Sequence, residues 1–246
     1  MRVAVSAGVA AARGRRGQSC LRRRFAGMWL WIGGGGMAFA TDRDLLVLEP
    51  AVFERVAWVG QRRAAGTGDV AGSVLTAAQS DAGFDAAGIG AGSVVLIGGV
   101  AHEVLSVDGP SAMTVSKLRD GADGPAIAAG DASGVGFAVW TFAPQIADVH
   151  RRVLGMLGLG EPGGPGAADV INPADLRGLE AIGALHLIYA GASAAGGPGS
   201  VEAERAAWYR GRFAEERSRV AARIDLDGDG VADVIRRPGV VALRRG

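Results

Sequence analysis

The stretch from residue 200 to residue 245 organises the prediction of the fold. It reads SVEAERAAWYRGRFAEERSRVAARIDLDGDGVADVIRRPGVVALRR. Its first half predicts a helix that Ser200 can cap, because apolar residues recur at three-, four- and seven-residue spacing. These residues are Ala206, Tyr209, Phe213, Val220 and Ile224. The other face is rich in Arg and Glu, and Glu215 precedes Arg219 by four residues, the favoured order for a helical ion pair. We expect that face to meet solvent or a charged neighbour.

An aspartate-rich loop follows the helix. Its spacing matches the calcium loop of twelve residues, with carboxylates at positions 1, 3, 5 and 9, glycine at 6 and a backbone carbonyl at 7. The corresponding residues are Asp225, Asp227, Asp229, Asp233, Gly230 and Val231. Position 12 departs from the pattern, since Arg236 stands where the loop requires a bidentate Glu. We expect a low-affinity structural Ca²⁺ site with Asp225, Asp227, Asp229, Val231 and Asp233 as ligands.

A second interpretation of the loop needs no ion. Asp and Gly are common turn residues, so the segment can simply join a helix to a strand. Carboxylates beyond a helix C-terminus face the negative end of its dipole, so positive charge is expected nearby. That charge can come from Ca²⁺ or from arginines of the same segment, namely Arg219, Arg223, Arg236 and Arg237.

The first 36 residues differ in charge from the rest. They hold seven arginines and no acid, and without them the formal net charge of +1 becomes −6. Three interpretations stay open: an upstream extension before a true start at Met37, a twin-arginine export signal (Arg22 to Arg24) cleaved near Ala40, or a basic arm that binds nucleic acid or anionic lipid. No apolar run reaches the ~18 residues of a membrane span. We therefore expect no membrane partner and leave 1–36 outside the folded domains.

Residues 37–140 are predicted to form a β-rich domain. Residues 93–97 and 100–107 flank Gly98-Gly99, which indicates a hairpin with a two-residue turn. Further short strands are expected at 56–59, 70–76, 113–118 and 136–140, with a turn at 66–68, whereas 45–48 fits a strand or a helical turn equally well. Short strands with closely spaced turns predict a small antiparallel barrel or sandwich. The glycine-rich stretch 121–136 is expected to be a long contact loop.

Residues 141–246 are predicted to form a three-helix domain that ends in a β-hairpin. The first helix begins at Pro144, and the third is the charged helix after Ser200. The middle helix opens with Asn172-Pro173 and is apolar in its later turns, so it is expected to be the buried central helix. Gly-rich linkers are predicted at 161–168 and 191–199. The hairpin is expected from strands at 231–237 and 240–245, turned at Pro238-Gly239.

Two histidines in this half are interpreted as structural. His150 lies beside Arg151 and Arg152 and is predicted to be exposed on a helix face. His186 and Tyr189 are predicted to form a buried hydrogen-bonded pair. The predicted fold class is therefore α+β, with an N-terminal β-barrel or sandwich followed by a three-helix domain and a hairpin.

Enzymatic chemistry is disfavoured by the residue pattern. Cys20, the only cysteine, lies in the leader, so the rest of the chain has no thiolate nucleophile. There is no Ser-centred elbow, no H-E-x-x-H motif and no spaced carboxylate pair in an expected cleft. His102 and Glu103 are neighbours on a strand and are expected to point to opposite faces. We expect a structural protein rather than an enzyme.

The three predicted helices resemble those of head-tail connector (adaptor) proteins of tailed bacteriophages. The resemblance covers residues 144–246 and rests on an Ala/Leu-rich middle helix that ends near Tyr189 and on a final Arg/Glu helix with the pair Trp208-Tyr209. It implies a homo-oligomeric ring below the portal, with tail or stopper proteins as further partners and DNA only passing through the lumen. It also implies assembly in the host cytoplasm, then a place in the virion neck. The alternative is an exported calcium-dependent interaction module.

Overall fold

The structure, a computed structural model, describes residues 38–239, and the described chain begins with two short helices. Helix α1 is Asp42–Leu48 and helix α2 is Val52–Arg55, followed by a 3-10 turn at Ala57–Val59. The Asp44 carboxylate accepts hydrogen bonds from the Thr41 N–H (2.7 Å) and hydroxyl (3.0 Å), which secures the start of α1. The segment 45–48 is therefore helical. The strand predicted at 56–59 is wrong, because these residues lie in and beside the 3-10 turn.

Six antiparallel strands form a closed barrel, as one of the two predicted architectures requires. Around the barrel they pair in the order β1-β2-β5-β4-β3-β6, and β6 closes it by pairing with β1. The strands are β1 Gln61–Ala71, β2 Val74–Ser80, β3 Val94–Ile97, β4 Val100–Gly109, β5 Ala112–Ser116 and β6 Ala132–Thr141. Phe84 and Phe137 meet edge to face inside it, with ring centroids 5.6 Å apart.

Glycines explain where the prediction of the barrel succeeds and where it fails. Gly98 and Gly99 both have positive φ and form the β3–β4 turn, which confirms the predicted hairpin. The turn predicted at 66–68 is wrong, because these residues lie inside β1. A Cβ at Gly66 or Gly68 would overlap the backbone of β2, so glycine there permits a close approach at a bulge. The predicted loop 121–136 is shorter, since β6 begins at Ala132.

Three long helices follow the barrel. They are α3 Ala143–Met156, α4 Pro173–Gly196 and α5 Val201–Arg219. Helix α4 is the buried central helix that the sequence predicted, with Leu176, Leu179, Leu185 and Ile188 fully buried. It runs through most of the linker predicted at 191–199, where Ala192 is buried.

The core around α4 also takes side chains from before the barrel. Leu45 of α1 and Phe53 of α2 are fully buried in the same apolar cluster as α3, α4 and α5. Five helices thus share one core that crosses the predicted boundary at residue 140. The described residues belong to a single compact unit.

A two-stranded ribbon lies near the C-terminal end of the described chain. Strand β7 is Ala222–Ile224 and strand β8 is Val234–Arg236, and they pair antiparallel on either side of the aspartate loop. Val170 bridges to Ile224 and adds a third backbone to the ribbon. Strand β8 thus pairs with β7, which precedes the loop. The second strand of the predicted hairpin, at 240–245, lies outside the described residues. Residues 1–36 lie outside them as well.

A buried carboxylate joins the start of the described chain to the helical core. Glu180 of α4 is fully buried, and its Oε2 accepts hydrogen bonds from the N–H groups of Phe39 (2.9 Å) and Ala40 (3.0 Å). Its Oε1 lies 2.6 Å from Nδ1 of His150 on α3. His150 is only 3% exposed, so its predicted exposure is wrong. The neighbouring arginines misled the prediction, since they point outward from the same helix and pair with Asp148.

Removing the Glu180 carboxylate is expected to destabilise the protein strongly. Glu180→Ala leaves two backbone N–H groups and His150 buried without their partner, and we expect the free energy of unfolding to fall by about 3–5 kcal/mol. Urea unfolding at pH 7 measures this. The exposed Arg62–Asp81 pair is the control, because Arg62→Ala is expected to cost under about 1 kcal/mol. A similar loss in both variants would contradict the role of Glu180.

The buried Asp42 predicts a pH dependence. Burial raises the pKa of its carboxyl from 3.8 to about 6, although hydrogen bonds from Thr141 and the Phe142 N–H oppose the shift. The folded state therefore binds this proton more tightly, and the resulting stabilisation is fully present below pH 3.8 and lost as pH rises through 6. Asp42→Asn keeps the acceptor for Phe142 without the charge.

We expect Asp42→Asn to gain stability over the wild type as pH rises from 4 to 7, by up to about 3 kcal/mol for a shift of this size. Urea unfolding of both proteins across that pH range measures the difference. A difference that stays constant with pH would show that Asp42 does not titrate in this way.

Candidate metal centre

The aspartate loop is held between the strands of the ribbon by backbone hydrogen bonds. The Asp225 N–H donates to the Asp169 carbonyl, and the Asp233 N–H donates to the Ile224 carbonyl, both at 2.9 Å. These bonds fix the two ends of the loop on β7 and on the segment before α4. The two ends of the loop are therefore held in defined positions.

Asp225 organises the interior of the loop. Its Oδ1 accepts from the Gly228 N–H and its Oδ2 from the Gly230 N–H, both at 2.7 Å. The hydrogen bond from Gly230 is the main reason that the pKa of Asp225 lies below its usual value, and Gly228 adds to it although burial opposes the shift. Gly228 and Gly230 have φ of 80° and 85°, a conformation that L side chains rarely adopt. Asp225 is thus an ionised, partly enclosed carboxylate.

Three of the predicted ligands converge. Carboxylate oxygens of Asp225, Asp227 and Asp229 lie within 4.8 Å of one another, so this triad could hold a metal ion. Asp227 and Asp229 are exposed, and each uses one oxygen to accept a hydrogen bond from the N–H two residues later, in Asp229 and Val231. Their second oxygens have no hydrogen bond among the described residues and are available to a cation.

Asp233, another predicted ligand, is placed differently. Oδ2 of Asp233 accepts from the Leu226 N–H at 2.7 Å, so this carboxylate closes the loop and is not part of the triad. The carbonyl of Val231 stays a predicted ligand. Because Ca²⁺ takes six to eight oxygen ligands, water would have to supply much of the coordination.

Arg236, at position 12 of the loop pattern, points away from the triad. Its guanidinium donates to the carbonyls of Leu157 (2.9 Å) and Gly158 (2.7 Å), just past the end of α3. A cation there meets the negative end of the helix dipole. Within residues 38–239, none of the four candidate arginines forms an ion pair with the loop carboxylates. In this part of the chain, no ion pair therefore supports the interpretation in which these arginines neutralise the loop.

A second charged cluster lines a cleft of about 320 Å³ beside α1. Glu103 is fully buried and accepts from Arg43 Nε (2.6 Å) and from the Arg119 N–H (2.9 Å) and Nε (2.7 Å). Burial opposes ionisation of this carboxyl, but the hydrogen bonds from Arg119 and Arg43 outweigh it and hold its pKa below the usual value. Both carboxylate oxygens are occupied by arginines that tie α1 and the loop after β5 to the barrel.

A third cluster joins α1 to α5. The Glu49 carboxylate accepts from the Tyr209 hydroxyl (3.0 Å) and pairs with Arg205, which also donates to the Tyr189 hydroxyl (3.3 Å). The Tyr189 and Tyr209 rings stack with centroids 5.8 Å apart. Burial and the hydrogen bond to Glu49 raise the pKa of Tyr209, so its hydroxyl remains a donor.

The predicted pairing of His186 with Tyr189 is wrong. His186 Nδ1 instead bonds to the Ala206 carbonyl at 3.0 Å, while Tyr189 takes Arg205 as its partner. Partners such as Glu49 and Arg205 are 156 residues apart in the chain, so no local sequence pattern predicts that they pair. An isolated acid among apolar helix residues, as at Glu180, was the one available signal.

The described residues contain no helix with both the length and the apolar character that crossing a bilayer requires. Comparisons with protein-family models, with curated proteins and with solved structures found no match for this chain.

The three aspartates of the triad are expected to respond differently to substitution. Asp225→Asn is expected to lower the urea midpoint even without metal, because one of its two acceptor oxygens becomes an NH₂ group facing a backbone N–H. Asp227→Asn and Asp229→Asn keep the acceptor they use, so stability without metal should change little. Urea unfolding in EDTA measures this, and equal effects at all three positions would contradict the assigned hydrogen bonds.

Proposed function

We propose that the chain is a structural subunit of a phage or prophage head-tail connector, which forms a ring and joins the portal to the tail. The observation that supports this best is a group of exposed aliphatic side chains at the ribbon end of the molecule. Their exposed fractions are 40% for Ile171, 52% for Leu226, 65% for Val231 and 65% for Ile235. Grouped apolar exposure of this kind marks protein contact surfaces.

Backbone hydrogen bonds hold these side chains in one small structure, which we call the ribbon surface. Ile235 lies opposite Arg223 in the β7–β8 ladder, and the Ile171 N–H donates to the Arg223 carbonyl at 3.0 Å. Leu226 and Val231 lie in the loop that the ribbon carries. A two-stranded ribbon is marginal by itself in water, so a neighbouring subunit or the portal would both cover this surface and stabilise it.

The charge of the barrel is compatible with DNA passing nearby. Residues 61–141 hold four basic and eight acidic side chains. Binding the phosphate backbone requires clustered cations, so an acidic barrel facing the lumen would not retain DNA. The barrel is, in this proposal, an added domain of the connector subunit.

A second candidate function follows from the loop: we propose that the triad binds Ca²⁺ weakly and stiffens the ribbon surface. Asp225 is already ionised and oriented, while Asp227 and Asp229 each offer one oxygen. An exported calcium-dependent module cleaved near Ala40 is less well supported. Ala40 is buried, and its N–H donates a hydrogen bond to Glu180. Cleavage after Ala40 would remove both backbone donors of that carboxylate.

The ring proposal is tested on the full chain by sedimentation velocity and negative-stain electron microscopy. We expect rings at high concentration, alone or with the isolated portal. Ile235→Asp is expected to abolish them by placing a charge in the contact. Val100→Asp is the matched control, since Val100 is 58% exposed on the barrel. Wild-type protein that remains monomeric with and without portal would contradict the proposal.

The calcium proposal is tested by thermal unfolding in millimolar Ca²⁺ against EDTA, with Mg²⁺ as the control. We expect a rise in Tm that Asp227→Asn removes. No shift in the wild type would exclude the site. Mass spectrometry of the native N-terminus separates the two locations, because the connector predicts Met37 and the exported module predicts Thr41.

A further inference from the structure

Helix α5 exposes a face that no part of the described chain covers. Trp208 is 55% exposed, and the guanidinium of Arg212 lies over its ring, 5.0 Å from the centroid. Ala207, Gly211 and Ala214 are exposed beside it at helical spacing. We call these residues, together with the exposed charges Glu204, Glu215 and Arg219, the α5 face.

Gly211 of α5 packs against no other part of the chain between residues 38 and 239. A Cβ placed on it would meet no atom within 4 Å, so glycine is not required by packing here. Glycine in a helix interior costs roughly 1 kcal/mol relative to alanine. Small residues allow two helix backbones to approach to about 8 Å, and an exposed Trp is typical of the centre of an interface. The face therefore has the shape of a helix-docking site.

The charged side chains of the α5 face lack ion-pair partners in the described part of the chain. Among residues 38–239, Glu204, Arg212, Glu215 and Arg219 form no ion pair, and the pair expected between Glu215 and Arg219 does not form. The acid Glu204 lies in the first turn of α5 and Arg219 in the last. A helix with this charge order is complementary to a second copy of itself that runs antiparallel.

We propose that the α5 face binds the α5 face of a second copy of this chain in an antiparallel, two-fold arrangement. With the axis between Gly211 and Arg212, Glu204 meets Arg219 of the second copy at both ends. Trp208 then lies level with Glu215 of the second copy, whose carboxylate can accept the indole N–H. The long Arg212 side chain fills the open space above Gly211 of the second copy.

This contact goes beyond the proposed ring and does not depend on it. A two-fold contact closes after two copies, whereas a ring requires a head-to-tail contact. The ribbon surface and the α5 face are different residues, so substitution of one leaves the other intact. An experiment that contradicts one of the two proposals therefore leaves the other intact.

Cysteine cross-linking of the full chain tests the geometry, with Cys20→Ser as the background. At a rise of 1.5 Å per residue, two copies of position 211 lie about 1.5 Å apart along the helix axis, and two copies of position 207 about 13 Å apart. Disulfides require Cα atoms within about 7 Å. We expect Gly211→Cys to give a covalent dimer on mild oxidation and Ala207→Cys, on the same face, to give none. Linking at both positions or at neither would overturn the arrangement.

Charge reversal measured by sedimentation equilibrium gives an independent test. Glu204→Arg alone and Arg219→Glu alone are each expected to weaken the dimer by tenfold or more, because like charges then meet at both ends. The double variant is expected to restore wild-type affinity. Trp208→Ala should weaken the dimer, whereas Trp58→Ala, at a Trp that is 57% exposed on another surface, should not. Monomeric wild-type protein, or single reversals without effect, would overturn the proposal.

Discussion

The Glu180 carboxylate is the constraint around which the helical core closes. It lies in an apolar environment where an unpaired charge would be very costly, and three donors from two other segments satisfy it: the Phe39 and Ala40 N–H groups and His150. The segment at residues 39–40, α3 and α4 can therefore adopt few other arrangements. The apolar side chains supply most of the stability, and loss of this carboxylate would leave its three donors unpaired in the core.

Helix α1 and its flanking residues also make buried polar contacts, with the barrel and with the helical core. Asp42 accepts from the backbone where β6 passes into α3, Arg43 pairs with Glu103 of the barrel, and Glu49 meets Tyr209 of α5. Seven helical residues and their flanks thus connect the barrel with both ends of the helical core. Each connection is buried, so its electrostatic strength is less weakened by solvent than that of an exposed pair. These contacts place the barrel and the helices in one compact unit.

Local features were predictable from the sequence, and distant partnerships were not. The Gly98-Gly99 turn, the cap of α5 at Ser200 and the apolar run of α4 depend on neighbouring residues, and each lies where the pattern placed it. The ligands predicted for the loop were placed correctly only in part. The i, i+2, i+4 spacing of Asp225, Asp227 and Asp229 brings their carboxylates together. Asp233 instead accepts a hydrogen bond from a backbone N–H of the loop. His150 was misjudged because its partner lies 30 residues away. The role of α1 was missed because all its partners are distant.

The position of Glu180 in the chain has a consequence for biosynthesis. Phe39 precedes Glu180 by 141 residues, and translation at about 5–20 residues per second leaves the amino-terminal segment without this partner for roughly 7 to 30 s. The barrel strands can pair in that interval, since their contacts are complete within residues 61–141. Leu45 lies on α1, whose main neighbour is α4, so this side chain cannot be fully covered until α4 has left the ribosome. The nascent chain therefore exposes the apolar side of α1 late into its synthesis, which is the situation in which chaperones bind.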